Sequence, residues 1–127
     1  SGVSCSIITY GNTASYDYYP CDITYNETGC ASFTLKDQKG RADIISLGVP
    51  GEHNVYNAMA AIALSDLLGI SRNIVKKALL AFKGTDRRFE YKGTFNGVCV
   101  IDDYAHHPTE ITATLQAASN YPHNKLW

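Results

Sequence analysis

Apolar and polar positions alternate along three stretches in the first part of the chain. Ile23 and Tyr25 flank Thr24, Ala31, Phe33 and Leu35 alternate with Ser32 and Thr34, and Ile45, Leu47 and Val49 alternate with Ser46 and Gly48. A period of two sends alternate side chains to opposite faces of a sheet. The breakers Asn26-Glu27-Thr28-Gly29 and Asp37-Gln38-Lys39-Gly40 separate the stretches, and such residues favour turns. The pattern predicts an antiparallel meander with one buried face. Upstream, Ser6-Ile7-Ile8-Thr9-Tyr10, stopped by Gly11, predicts a further short strand. Asn12 to Pro20 is polar and tyrosine-rich and is expected to cover a sheet edge.

At Pro50-Gly51 the period lengthens. Val55, Met59, Ile62, Ala63 and Leu67 recur at helical spacing behind Asn54, a residue suited to an N-cap, and Gly69 closes the run. Ser71 opens a second helix bearing Ile74, Val75, Ala78, Leu79 and Phe82. Lys76, Lys77 and Lys83 lie toward the negative end of its dipole, and Gly84 ends it. The short Gly69-Ile70-Ser71 connection makes the pair an αα-hairpin. Gly84-Thr85-Asp86-Arg87-Arg88 follows neither period and is the expected linker. Its paired arginines suggest phosphate contact, but taken alone they read first as a solvated basic turn.

Alternation resumes from Phe89, and Asn96-Gly97 signals a type I′ hairpin into Val98–Ile101. That apolar strand ends abruptly in Asp102-Asp103-Tyr104-Ala105-His106-His107-Pro108. A buried strand, a polar loop at its carboxyl end and a helix start is the arrangement at which α/β sheets bind ligands. A helix N-terminus there offers N–H donors to an anion, so Asp102, Asp103, Tyr104, His106 and His107 are candidate lining residues. The two aspartates suit a strand end with an Asx-turn equally well, and the histidines a helix cap. Adjacent histidines lack the i, i+4 geometry of a helical metal pair, and no metal site is expected from them. Ile111, Leu115 and Ala118 mark the following helix with Pro108 near its first position, Asn120-Tyr121-Pro122 stops it, and Lys125-Leu126-Trp127 predicts the start of another strand.

Composition narrows the class. The 127 residues are 45% hydrophobic and 18% charged, which is globular and enough for a real core. A net charge of −1 argues against non-specific nucleic-acid binding. No apolar run approaches the ~20 residues of a membrane helix, and no secretory leader is expected. Cys5, Cys21, Cys30 and Cys99 have no metal spacing. The expectation is a cytoplasmic, reduced chain with Cys99 packed as a small hydrophobe and a Cys21–Cys30 bridge left open.

Three runs occur in order: Gly51-Glu52-His53-Asn54-Val55-Tyr56-Asn57-Ala58, Phe82-Lys83-Gly84-Thr85-Asp86-Arg87-Arg88-Phe89-Glu90, and Asp102-Asp103-Tyr104-Ala105-His106-His107-Pro108-Thr109-Glu110. Together they closely resemble the Mur ligases, and within them the alanine-adding branch. The relative that attaches a murein tripeptide to the same sugar is the runner-up, and a non-catalytic nucleotide-binding module is the competing class.

The resemblance implies an α+β fragment of a larger enzyme. Residues 1–84 would be the last part of a central ATP-binding domain, contributing the meander and the αα-hairpin. Residues 85–127 would open a Rossmann-like C-terminal domain with a β-hairpin and its first strand-helix unit. It implies joining of L-alanine to UDP-N-acetylmuramate, with ATP split through an acyl-phosphate and Mg²⁺ as the metal. Residue by residue, Asn54 and Asn57 match asparagines near adenine, Arg88 an arginine at the nucleotide, and Asp103 an aspartate on the ribose. Tyr104 and His106 resemble residues of the amino-acid pocket. The family's Gly-rich phosphate loop, modified lysine and Mg²⁺ ligands do not occur in this sequence. No catalytic residue is therefore assigned to the chain, and the metal ligands are expected outside it.

Overall fold

The computed structural model describes residues 5–127. β1 (Tyr18–Tyr25), β2 (Cys30–Asp37) and β3 (Ala42–Pro50) form an antiparallel sheet in that order. β2 carries the period-two pattern most cleanly, and Ala31, Phe33 and Leu35 are fully buried. Both turns are built by carboxamide or carboxylate capture of backbone. Asn26 Oδ1 accepts from the N–H groups of Thr28 and Cys30 at 3.0 and 2.9 Å. Asp37 Oδ1 does the same for Lys39 and Arg41 at 2.9 and 3.0 Å.

α1 (His53–Leu67) lays Val55, Ala58, Met59, Ile62 and Ala63 on the sheet. Its end is a Schellman motif: Gly69, at φ +71°, donates to Asp66 O and Ile70 to Ser65 O. α2 (Arg72–Ala81) adds Val75 to the core and runs so close to β3 that a Cβ on Gly48 would fall 2.3 Å from the Leu80 carbonyl oxygen.

β4 (Glu90–Phe95) and β5 (Val98–Asp102) pair antiparallel across Asn96 and Gly97, both at positive φ as a type I′ turn requires. α3 (Pro108–Ser119) starts with Pro108 in its first turn and His107 at the cap. Its C-terminal end meets the first part of the chain: Ala117 is buried beside Gly51, and the Asn120 carbonyl lies beside Gly29.

Several expectations are corrected. Residues 6–11 form no strand; they touch β1 through a single parallel bridge, Tyr10 to Tyr18, because Thr9 instead binds the Asp17 carboxylate. β1 begins earlier than its alternation suggested, so Tyr18, Tyr19 and Pro20 belong to the sheet. Asn54 is not the cap of α1; Glu52 holds that position, and Asn54 Nδ2 donates to the Pro50 carbonyl at 2.7 Å. Leu67, Ile74, Ile111 and Leu115 are exposed, and Ala117 is the buried position of α3. β5 is not buried: Val98 and Val100 are exposed, and so is Cys99. Cys21 and Cys30 are free thiols, and residues 125–127 carry no strand.

Candidate functional site

β3 and α1 meet at Gly51, whose φ of +99° turns the chain. A Cβ there would lie 2.7 Å from His53 Cε1 and 3.3 Å from the Ala117 methyl. Glycine thus lets the α1 N-terminus and α3 come together around the His53 ring. Beside this contact opens a cavity of about 600 Å³. Its walls are the end of β3, the first turns of α1, the connecting segment from Phe82 to Phe89, the residue after β5, and the first turns of α3.

Four of the six residues to which the resemblance gives a role share this cavity: Asn54, Asn57, Arg88 and Asp103. The two asparagines are chained, with Asn57 Nδ2 donating to Asn54 Oδ1 at 3.1 Å and Asn54 in turn fixed on Pro50. That chain orients both amides from the helix start. Arg88 faces Glu110 of α3 at 3.9 Å, too long for a tight pair, so its guanidinium keeps donors for a ligand. Asp103 Oδ2 accepts from Phe89 N–H and Oδ1 from Ala105 N–H, both at 2.8 Å. The second bond is the Asx-turn that the sequence allowed. A carboxylate has about four acceptor positions, so two of Asp103's remain after the backbone is served.

Tyr104 and His106 stand apart from this cavity. The turn after Asp103 carries them toward Asp102 and Arg87, where Tyr104 is exposed, meets the His106 ring edge-on at 5.2 Å, and lies under the Arg87 guanidinium at 4.8 Å. Asp102 faces Arg87 at 3.8 Å. The adjacent aspartates thus diverge as strand alternation dictates, and so do the adjacent arginines.

The N-terminus of α3 is already served by protein. Glu110 accepts from the N–H groups of His107 and His106 at 3.3 and 3.4 Å, and Thr109 N–H donates to His107 Nδ1 at 3.4 Å. The backbone bonds from His107 and His106 hold the Glu110 carboxyl below its ordinary value. The expected anion site at this helix start is therefore corrected: a carboxylate of the chain occupies it, and Arg88 is the cation at the cavity.

Two cavity residues escaped the residue-level reading. Glu110 reads as an ordinary capping-box acid, and nothing in sequence shows that it faces Arg88. His53 looks like a helix-start residue. Burial pulls its pKa below the ordinary imidazole value, Asp103 opposes that and Arg88 reinforces it.

Among the described residues no three His, Cys, Asp or Glu side chains converge as a metal site, and no helix is long and apolar enough to cross a membrane.

This fold is a two-part α+β unit with an open cavity where its parts meet. Residues 1–65 match the family model of the Mur ligase middle domain, and residues 87–127 that of the Mur ligase glutamate ligase domain. The chain belongs to the Mur ligase family. It is 55% identical over 126 residues to UDP-N-acetylmuramate–L-alanine ligase of Agathobacter rectalis, covering 99% of this chain and 28% of that protein. The solved UDP-N-acetylmuramate–alanine ligase of Thermotoga maritima has a TM-score of 0.79 at 36% identity, over 89% of this chain and 26% of that one. A murein peptide ligase from Psychrobacter arcticus has a TM-score of 0.60 at 35% identity, over 87% of this chain and 23% of that one.

Proposed function

We propose that this chain is the adenosine-side part of an ATP-dependent ligase that joins L-alanine to UDP-N-acetylmuramate. The observation that carries the reading is the convergence of Asn54 and Asn57 of α1 with Arg88 and Asp103 on one cavity. In this reading the asparagine amides, which both donate and accept, meet the adenine edge. The free acceptor positions of Asp103 take the ribose hydroxyls, and Arg88 meets phosphate with its fork of donors. Tyr104 and His106 are assigned to the L-alanine pocket. ATP phosphorylates the sugar's lactyl carboxylate, and the alanine amine attacks that carbonyl carbon, expels phosphate and loses a proton. Mg²⁺, held by residues outside this chain, would supply charge neutralisation at the transferring phosphoryl group.

The same reading sets the boundary between the central and C-terminal domains at Gly84–Thr85. The positive φ of Gly84 and the family matches on either side support it. A cytoplasmic location goes with ATP as co-substrate.

The test uses the intact ligase that contains this chain. Phosphate release is measured with ATP and UDP-N-acetylmuramate, adding L-alanine, a murein tripeptide, or no amino component. Release that depends on L-alanine is expected. Dependence on the tripeptide reassigns the chain to the recycling branch. ATP binding without turnover in any arm makes it a non-catalytic nucleotide module.

A further inference from the structure

The connecting turn holds an arginine where its backbone favours glycine. Thr85 to Arg88 is a four-residue turn closed by Arg88 N–H to Thr85 O at 3.2 Å, and Arg87, its third residue, has φ +58°. That position of a left-handed turn ordinarily selects Gly or Asn. Phe89 is left-handed as well, at φ +48°, which is rarer still for a bulky side chain. Such conformations persist only where surrounding contacts impose them, and here they do. Arg87 N–H donates to Glu90 Oε2 at 2.8 Å and its carbonyl accepts from Tyr104 N–H at 2.8 Å. Phe89 N–H is held by Asp103. The consequence lies between the two: Arg88 faces the cavity, whereas Arg87 lies over Tyr104 on the other side.

We propose that Arg87 is a positioning residue whose left-handed backbone, latched to Tyr104 just beyond β5, aims Arg88 into the cavity. Nucleotide affinity then depends on the hand of this turn and not on the Arg87 charge. The inference rests on the nucleotide reading of the cavity given above.

The test compares ADP affinity and steady-state kinetics of the intact ligase carrying Arg87→Gly, Arg87→Ala or Arg87→Val. All three remove the guanidinium and its contact with Tyr104, so differences among them report the backbone. Glycine enters the left-handed region freely, alanine at a cost, and a β-branched residue worst of all. Arg87→Gly is expected within about twofold of the parent, Arg87→Ala weaker by about threefold and Arg87→Val by about tenfold. The graded loss should appear in KM for ATP, whereas KM for L-alanine, which the lost Tyr104 contact affects equally in all three, should not differ among them; a merely destabilised enzyme would not make that split. Should Arg87→Val fail to fold, the Gly and Ala pair still orders the series. Equal weakening in all three, or none in any, overturns the inference. A parent that binds no ADP overturns the nucleotide reading itself, and this inference with it.

Discussion

Asp102 and Asp103 show what one step along a strand decides. Asp103 turns to the cavity and spends two acceptor positions on Phe89 and Ala105, whereas Asp102 turns to Arg87. In the intact ligase, Asp103→Ala should raise KM for ATP by about one to two decades, the roughly 1.5–3 kcal/mol of a hydrogen bond to a charged group. Asp102→Ala should change it little, and KM for L-alanine should hold in both. Tyr104→Phe and His106→Ala should show the converse, with alanine saturation impaired and ATP saturation near normal. Steady-state kinetics on the four variants check the assignments, and a larger ATP effect from Asp102→Ala reverses the aspartate pair. The residue-level pattern led to the polar loop after β5 but not to its direction. Alternation separates the aspartates, yet the Asx-turn at Asp103 carries Tyr104 and His106 to the opposite side. His53 and Glu110 were illegible because the groups that act on them, Asp103 and Arg88 for the first and Arg88 for the second, lie far away in sequence.

At the scale of elements, the meander was legible wherever one face is buried and turn chemistry is local. β2 alternates along its whole length, and Asn26, Asp37 and Asn96 each build their turn with their own neighbours or backbone. β5 was misread because an apolar run carries no information about whether anything covers it. The packing of α2 on β3 was also invisible, since Gly48 looks like one more polar position in an alternating strand. Gly48→Ala should cost about 1–3 kcal/mol, as overpacked sites do, because the atoms in the way are the backbone carbonyls of Leu80 and Phe82. Denaturant melts check this. An ion-pair cluster joins the β2–β3 turn to both helices: Asp66 accepts from Arg72, Arg41 and Tyr18, and Asp37 binds Arg41. Burial alone pushes both carboxyls up, but for Asp66 the bonds from Arg72 and Tyr18, and for Asp37 those from Arg41, outweigh it and leave both below the ordinary 3.8. The unfolded chain therefore binds more protons between the lowered values and 3.8. The stability these groups contribute is complete above that window and lost as pH falls through it. Melting temperature should drop on acidification from about pH 6 to about pH 3, and Asp66→Asn should make the drop shallower.

At the scale of the molecule, the core of the first part is closed and the second part is not. Phe33, Leu35, Ile45, Met59 and Ile62 are sealed between sheet and helices, so Met59→Ala should cost about 2–5 kcal/mol. By contrast Tyr91, Phe95, Val98 and Val100 expose apolar surface on the β4–β5 ribbon, and Leu64, Leu67 and Leu68 do so at the end of α1. A two-stranded ribbon is marginal by itself, and open strand edges and apolar patches of this kind recruit partners. The chain spans 28% of the length of its Agathobacter rectalis relative, and its sequence carries no Gly-rich phosphate loop. Two outcomes are expected of these 127 residues prepared alone. They should show no L-alanine-dependent ATP hydrolysis, because the cradling donors and oriented metal that dominate phosphoryl-transfer catalysis are not in their sequence. They should also self-associate at micromolar concentration, with Val98→Lys and Leu67→Lys each reducing association and leaving the sealed core intact. Light scattering alongside a phosphate-release assay decides both. A monomer whose β4–β5 amides are fully protected from exchange would show that the ribbon needs no cover, and alanine-dependent turnover would place the phosphoryl-transfer machinery within this chain.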